Sequence, residues 1–146
     1  MTLRILFVDD EPEFVRAHIN ALEDAGYSVK HTRSYTEALG TLQRQSFDLI
    51  VLDLILPPID AYWELEYETA EPSAEVGLGL HRVIREELGL IQVPIVFFTV
   101  VGEIEARRQI QETEAKFSLK PTVLIKPALP SKLLVQVREL VGGRDE

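Results

Sequence analysis

The sequence predicts an α/β protein in which one parallel sheet carries helices on both faces. Short apolar runs rich in Ile, Val, Leu and Phe alternate along the chain with longer segments of helical character. Runs that are apolar at every position are typical of strands buried on both faces, and their alternation with helices is typical of a parallel sheet. The predicted strands lie at 3–8, 27–31, 48–52, 95–98 and 122–125.

The first two helices have clear sequence signals at their ends. Pro12 suits the first turn of a helix, and Gly26 suits the position just after its last turn. Between them an apolar stripe recurs at helical spacing and consists of Val15, Ile19 and Leu22. Ser34 can cap the second helix, and Glu37 stands three residues later, as in a capping box.

The second half of the chain continues the alternation. A helix over 77–88 ends at Gly89, and the fourth strand follows Pro94. The segment 102–116 is polar and weakly amphipathic, and the apolar residues of the last helix are Leu133, Val137, Leu140 and Val141. Without a repeat or a linker, the 146 residues predict one domain, 1–146, with a tail at 142–146.

Composition excludes several classes of function. The formal net charge of −9 argues against nucleic acid as a direct partner, because phosphate backbones are bound by a surplus of Lys and Arg. The absence of cysteine excludes disulfides and thiolate metal sites, and His18, His31 and His81 have no ligand spacing and are interpreted as surface or core-edge residues. With neither a targeting signal nor a membrane span in the sequence, we expect a cytoplasmic protein without membrane contact.

Polar residues stand at the ends of four predicted strands. Asp9 and Asp10 follow the first, Asp53 the third, Thr99 ends the fourth, and Lys126 follows the fifth. The carboxyl ends of parallel strands share one edge, where ligands bind in such folds, so these residues are predicted to converge. Each residue alone is typical of a turn or a helix cap, but the ordered set predicts a site.

The converging side chains suit phosphoryl transfer. Three carboxylates on one edge repel each other unless a cation joins them, and hard oxygen ligands favour Mg²⁺. A carboxylate such as Asp53 can act as a nucleophile and form an aspartyl-phosphate. Lys126 and Thr99 would supply a cation and a hydroxyl around the phosphoryl oxygens.

The motif set resembles that of the response-regulator receiver domain of two-component signalling. The motifs are Asp9-Asp10-Glu11-Pro12, Asp53 with Pro57, Thr99, and Lys126-Pro127. The resemblance implies a flavodoxin-like (βα)₅ sandwich with strand order 2-1-3-4-5. It implies a signalling switch, not a turnover enzyme, in which a sensor histidine kinase or phosphotransfer protein phosphorylates Asp53.

The resemblance also implies the roles of the other site residues. Asp10, Asp53 and the backbone carbonyl of Ile55 would hold Mg²⁺, with Asp9 contributing through water. Lys126 would pair with the phosphoryl oxygens. Thr99 would hydrogen-bond them and couple the chemistry to the surface of helix four, strand five and helix five, through which a downstream effector or a second copy would bind.

The chain departs from the family pattern in four places, one of which is the segment from Thr99 to Lys126, a few residues longer than is usual in the family. An insertion lies at about 58–76, and the part from Asp60 to Glu75 has six acidic residues and no Lys or Arg. Its alternating Trp63-Glu64-Leu65-Glu66-Tyr67-Glu68 favours a loop packed over helix three; the alternatives are a lid beside the site and a docking strip. Val100 stands where the family has Ala or Gly, and Val123 where it often has an aromatic residue.

Two other functions remain open from the sequence. The first is a receiver-like module that binds partners without phosphorylation. The second is a phosphatase or phosphotransferase that uses Asp53 on a small molecule, which the absence of a general acid in Asp53-Leu54-Ile55 disfavours. Ile55 and Val101 are predicted to flank the site, hinder an attacking water, and so slow the loss of the phosphoryl group.

Overall fold

A computed structural model describes residues 2–59 and 71–142 as five strands alternating with five helices. The strands are β1 (Arg4–Val8), β2 (Ser28–Thr32), β3 (Leu49–Leu52), β4 (Ile95–Thr99) and β5 (Thr122–Ile125). The helices are α1 (Pro12–Asp24), α2 (Tyr35–Arg44), α3 (Ala74–Arg82), α4 (Ile104–Ala115) and α5 (Pro130–Val141). Residues 60–70, which include the alternating segment 63–68 of the predicted insertion, lie outside the described residues, as does the predicted tail from 143 onward.

All strand pairs are parallel, and the order in the sheet is β2-β1-β3-β4-β5. The predicted fold class and strand order are therefore confirmed. The chain passes from β1 to β2 in one direction across the sheet and then reverses, crossing back to place β3 on the other side of β1. The carboxyl ends of β1 and β3 meet at this point, where ligands bind in open parallel sheets.

The two faces of the sheet carry separate cores. Alternate residues of the central strands point to opposite faces, as the pleat requires. One core contains Leu6, Val8, Ile50, Leu52 and Phe97 and is covered by α2, α3 and α4. The other contains Ile5, Phe7, Leu49, Val51 and Phe98 and is covered by α1 and α5.

Predicted helix signals appear in the structure at the positions expected. The Ser34 hydroxyl accepts a hydrogen bond from the Glu37 amide at 3.1 Å, which caps α2. Gly26 and Gly89 have φ values of +102° and +68°, in the left-handed region that glycine enters without strain. Among the described helices, none is both long and apolar enough to cross a membrane.

A buried ionic triad that was not predicted from the sequence joins α3 to α4. After α3 the chain forms a π-helical turn, Val83–Glu87, which contains Arg85. Glu114 of α4 accepts hydrogen bonds from His81 Nε2 at 2.6 Å and from Arg85 Nε at 2.7 Å. All three side chains are almost completely buried, so the interpretation of His81 as a surface or core-edge residue was wrong.

The buried polar groups of the triad make further hydrogen bonds. Arg85 Nη1 also donates to the carbonyl oxygens of Leu90 and Val93, at 2.6 and 2.7 Å. Burial works against the charge of Glu114, but the hydrogen bonds from His81 and Arg85 outweigh it and lower the pKa of this carboxyl. Arg85 thus links α4, its own helical turn and the loop before β4.

We expect Arg85→Met to lower the free energy of unfolding by about 3–5 kcal/mol, because it leaves Glu114 charged and buried without its guanidinium partner. The matched control is Lys116→Met, which removes the exposed ion pair with Glu86 at nearly the same junction and should change the stability far less, because water screens exposed charges. Urea unfolding of the three proteins at pH 7 measures both changes. Equal losses in the two variants would contradict the role assigned to the triad.

Candidate functional site

The predicted site residues meet at the carboxyl edge of the sheet. Asp9 follows β1, Asp53 follows β3, Thr99 ends β4, and Lys126 follows β5. The Lys126 ammonium lies 2.6 Å from Asp9 Oδ2 and 3.3 Å from Asp53 Oδ2. Residues separated by 117 and 73 positions are thus joined by two ion pairs.

Backbone amides orient the carboxylates of this edge. Asp9 is fully buried, and its Oδ1 accepts a hydrogen bond from the Glu11 amide at 2.9 Å. Asp53 is also buried, and its Oδ1 lies 3.4 Å from the Ile55 amide, at the long end of the hydrogen-bond range. One oxygen of each carboxylate therefore faces the backbone, and the other faces Lys126.

The charges at this edge are not balanced. Burial raises the pKa of Asp10 to about 6, and the neighbouring Asp9, Glu11 and Asp53 add to the effect. Burial also raises the pKa of Asp53, although Lys126 and Thr99 act in the opposite direction. Burial opposes the charge of Lys126, but its bonds to Asp9 and Asp53 raise the pKa of the ammonium. A dication would relieve the repulsion.

The donor set fits a hard divalent cation. Carboxylate oxygens of Asp9, Asp10 and Asp53 lie within 4.8 Å of one another. Asp10 is partly exposed, so it faces a side from which a hydrated ion can approach. Mg²⁺ typically takes few carboxylates and retains several waters, and this arrangement suits it. The Ile55 carbonyl, predicted as a further ligand, belongs to the same loop after β3.

Thr99 connects the site to the start of α4. Its side chain is fully buried, and its hydroxyl accepts a hydrogen bond from the Val101 amide at 3.2 Å. Its carbonyl accepts one from the Lys126 amide at 2.9 Å. The Thr99 hydroxyl thus joins the strand-end cluster to the loop that leads into α4.

Gly77 supports the loop after Asp53 and was not among the predicted site residues. Its amide donates to the Leu54 carbonyl at 3.0 Å, and a Cβ at this position would lie 2.2 Å from that oxygen. Only glycine allows α3 to approach the backbone this closely. Gly77 and Gly79 are visible in the sequence, but the sequence does not show that Gly77 packs against the backbone of Leu54.

Two histidines hold the backbone of the site and were also missed. His31 Nε2 lies 2.7 Å from the carbonyl oxygen of Asp9, and His18 Nε2 lies 2.7 Å from that of Ala128. A carbonyl only accepts, so each Nε2 carries the proton. The sequence signal was weak because neither histidine stands near its partner along the chain.

A cleft of about 330 Å³ opens beside Asp53 and Lys126. Its lining is mostly apolar, and Phe14 and Val100 contribute side chains that are 74% and 59% exposed. Val100 therefore lies at the mouth of the cleft and is not packed over the carboxylate. Ile55 also lines the cleft, whereas Val101, predicted to flank the site as well, belongs to the buried core covered by α2, α3 and α4.

Comparisons with known proteins show similarity to response regulators. The sequence model for the response regulator receiver domain matches residues 5–65. The probable transcriptional regulator ycf27 of Porphyridium aerugineum is 27% identical over 143 residues, 98% of this chain and 50% of that protein. The transcriptional regulatory protein ResD of Bacillus subtilis is 30% identical over 138 residues, 94% of this chain and 48% of that protein. The chain thus spans about half the length of these two curated relatives.

Solved structures with the same architecture include receiver domains. A CheY-like response regulator receiver domain protein from Methanospirillum hungatei superposes with a TM-score of 0.74 at 20% identity, covering 99% of this chain and 98% of that one. The chemotaxis response regulator CheY4 of Vibrio cholerae gives a TM-score of 0.72 at 22% identity, with coverages of 96% and 99%. At these identities the superpositions establish the fold.

We expect Asp10→Asn to stabilise the metal-free protein at pH 7 by about 1–2 kcal/mol, because it removes a charge that the folded state disfavours. The folded protein binds the Asp10 proton more tightly than the unfolded chain does. Protonated Asp10 therefore contributes most to the free energy of unfolding of the wild type below pH 3.8, and this contribution is lost as the pH rises through about 6. The advantage of the variant should therefore shrink as the pH falls below about 6.

Urea unfolding between pH 5 and 8 measures this difference, with Glu23→Gln, an exposed residue of α1, as the control for a lost negative charge. Saturating Mg²⁺ should stabilise the wild type and have little effect on Asp10→Asn. A variant that is less stable than the wild type at pH 7 without metal would contradict the electrostatic interpretation.

Proposed function

Because the chain belongs to the response regulator receiver family, we propose that Asp53 accepts a phosphoryl group from a sensor histidine kinase or phosphotransfer protein. The observation that carries the proposal is the buried Asp53 carboxylate with the Lys126 ammonium 3.3 Å away and two further carboxylates beside it. This combination supplies a nucleophile, a cation and a place for a divalent metal at one edge of the sheet.

In the proposed transfer, an Asp53 oxygen forms a bond to phosphorus while the phosphorus–nitrogen bond of the donor phosphohistidine breaks. The electron pair of that bond stays on the imidazole nitrogen. Lys126 compensates the negative charge on the phosphoryl oxygens, and the Thr99 hydroxyl is within the same strand-end cluster to donate a hydrogen bond. Mg²⁺, held by Asp10 and Asp53, the Ile55 carbonyl and, through water, Asp9, would neutralise further charge on these oxygens.

Phosphorylation is proposed to act on the surface formed by α4, β5 and α5. Thr99 is the link, because its hydroxyl accepts a hydrogen bond from the Val101 amide, and a shift of the hydroxyl toward a phosphoryl oxygen on Asp53 would weaken that bond. Ile104, at the start of α4, is 86% exposed, and Ile125 of β5 is also exposed. An effector protein or a second copy of the chain would bind this surface; direct binding to nucleic acid or a membrane is not proposed.

The cleft beside Asp53 is proposed to receive the phosphodonor protein. Its open, mostly apolar lining includes the exposed ring of Phe14, which a protein partner could cover. Residues 1–146 are proposed to form one receiver domain, in the cytoplasm, with self-catalysed phosphorylation and slow dephosphorylation as its only chemistry. The second candidate is a partner-binding module independent of phosphorylation, favoured by the bulk of Val100 at the cleft mouth.

We expect the wild-type protein to gain one phosphoryl group on incubation with Mg²⁺ and acetyl phosphate, as measured by intact mass. Asp53→Asn removes the nucleophile at nearly constant size and should abolish the gain, as should omission of Mg²⁺. Lys126→Ala should slow the gain by about tenfold or more, because it leaves the developing charge uncompensated. A folded wild-type protein that gains no phosphoryl group would favour the phosphorylation-independent module.

We expect Val100→Ala to accelerate phosphorylation by acetyl phosphate, because Val100 narrows the mouth of the cleft beside Asp53. A change of about two- to fivefold is the scale expected for removal of an apolar group that only obstructs approach. Val135→Ala, which trims an exposed valine of α5, is the matched control and should leave the rate unchanged. Equal rates for the three proteins would show that Val100 does not limit access.

A further inference from the structure

We propose that His18 is a positioning residue for phosphoryl transfer, which fixes the loop carrying Lys126 by donating a hydrogen bond to the carbonyl of Ala128. The inference rests on the transfer to Asp53 proposed above. His18 belongs to α1, and Ala128 lies in the loop between β5 and α5, two residues after Lys126. The contact thus ties a helix on one face of the sheet to the segment that supplies the cation of the site.

The hydrogen bond defines the state of the ring. His18 Nε2 lies 2.7 Å from the Ala128 carbonyl oxygen, so Nε2 carries the proton. Within the described part of the chain, the buried Nδ1 atom has no hydrogen-bond partner. The polar contact to Ala128 is therefore the one among these residues that orients the ring, and it connects positions 110 apart in sequence.

The ring of His18 also contacts the surroundings of the Lys126 side chain. It packs against Phe98 with 5.0 Å between ring centroids. The Lys126 ammonium lies 5.2 Å from the centroid of the same Phe98 ring, within the range of a cation–π interaction. His18, Phe98 and Lys126 all line the cleft beside Asp53. The histidine therefore contacts both the backbone after Lys126 and the aromatic ring beside its ammonium.

The position of this loop matters because the Lys126 side chain is long and its ammonium must reach a phosphoryl group on Asp53. The Lys126 amide donates a hydrogen bond to the Thr99 carbonyl at 2.9 Å. After residue 126, the next hydrogen bond among the described residues that joins this loop to another part of the protein is the one from His18 to Ala128. The Lys126 ammonium lies 2.6 Å from Asp9 and 3.3 Å from Asp53. A shift of about 1 Å in a positioning element is enough to slow a reaction substantially.

Two variants test the hydrogen-bond donor and the aromatic ring of His18 separately. His18→Phe keeps an aromatic ring against Phe98 and loses the donor, whereas His18→Gln keeps an N–H that can reach the place of Nε2. We expect His18→Phe to slow phosphorylation by acetyl phosphate about tenfold and His18→Gln to stay within about threefold of the wild type. The Mg²⁺ dissociation constant depends on the carboxylates and should change less than about twofold in both. Urea unfolding confirms that both variants fold.

A double-mutant cycle tests whether His18 acts through Lys126. In the Lys126→Ala background, adding His18→Phe should change the rate by less than about twofold, because the residue being positioned is already absent. A full tenfold loss in that background would overturn the proposal, since His18 would then act by another route. A His18→Phe rate equal to the wild-type rate would overturn it as well.

A second measurement does not require phosphorylation. Acetic anhydride labels lysine amines, and peptide mass spectrometry gives a separate rate for Lys126 and for the exposed control Lys30. We expect His18→Phe to raise labelling at Lys126 about threefold or more by loosening its ion pairs, with Lys30 unchanged and His18→Gln close to the wild type. If the wild-type protein accepts no phosphoryl group, the proposed function fails, while unchanged labelling of Lys126 would overturn the role of His18.

Discussion

The ion pairs that Lys126 makes with Asp9 and Asp53 are the interaction on which the functional edge of this protein depends. Both carboxylates are buried at the ends of adjacent strands, where like charges would repel each other strongly without a shared cation. Lys126 reaches them from the far side of β4 because the sheet order places β3 and β4 between β1 and β5. The parallel register and the ammonium together make a cluster of acidic groups compatible with a folded core.

The two faces of the sheet support this edge differently. On the face covered by α1 and α5, single hydrogen bonds from histidine to backbone carbonyl hold the segments around the site, as between His18 and Ala128. On the opposite face, the triad of His81, Arg85 and Glu114 anchors the carboxyl end of α4 to α3. The amino end of α4 follows the Thr99 loop, so the end of the helix near the chemistry is free of the triad.

Much of the fold could be predicted because its signals are local. Apolar runs marked the five strands, Ser34 and Glu37 marked the start of α2, and the strand-end residues Asp9, Asp53 and Lys126 followed from the shared edge of a parallel sheet. The triad could not be predicted, because a buried arginine and an exposed one look alike until tertiary packing is known. The same holds for Gly77, whose partner Leu54 is set by how α3 lies on the loop.

The charge at the edge also indicates what phosphorylation must change. Carboxylates outnumber the ammonium at this edge, and their repulsion adds to the effect of burial, which raises the pKa of Asp10 to about 6. In the proposed reaction a phosphoryl group adds negative charge at Asp53, so the Lys126 ammonium gains most by moving from Asp9 toward the phosphoryl oxygens. Asp9 would keep its bond from the Glu11 amide but lose its 2.6 Å ion pair. The loop that carries Lys126 must therefore hold the ammonium accurately and still allow it to move from Asp9 toward Asp53. A single hydrogen bond from His18 to the backbone of Ala128, two residues after Lys126, can meet both requirements.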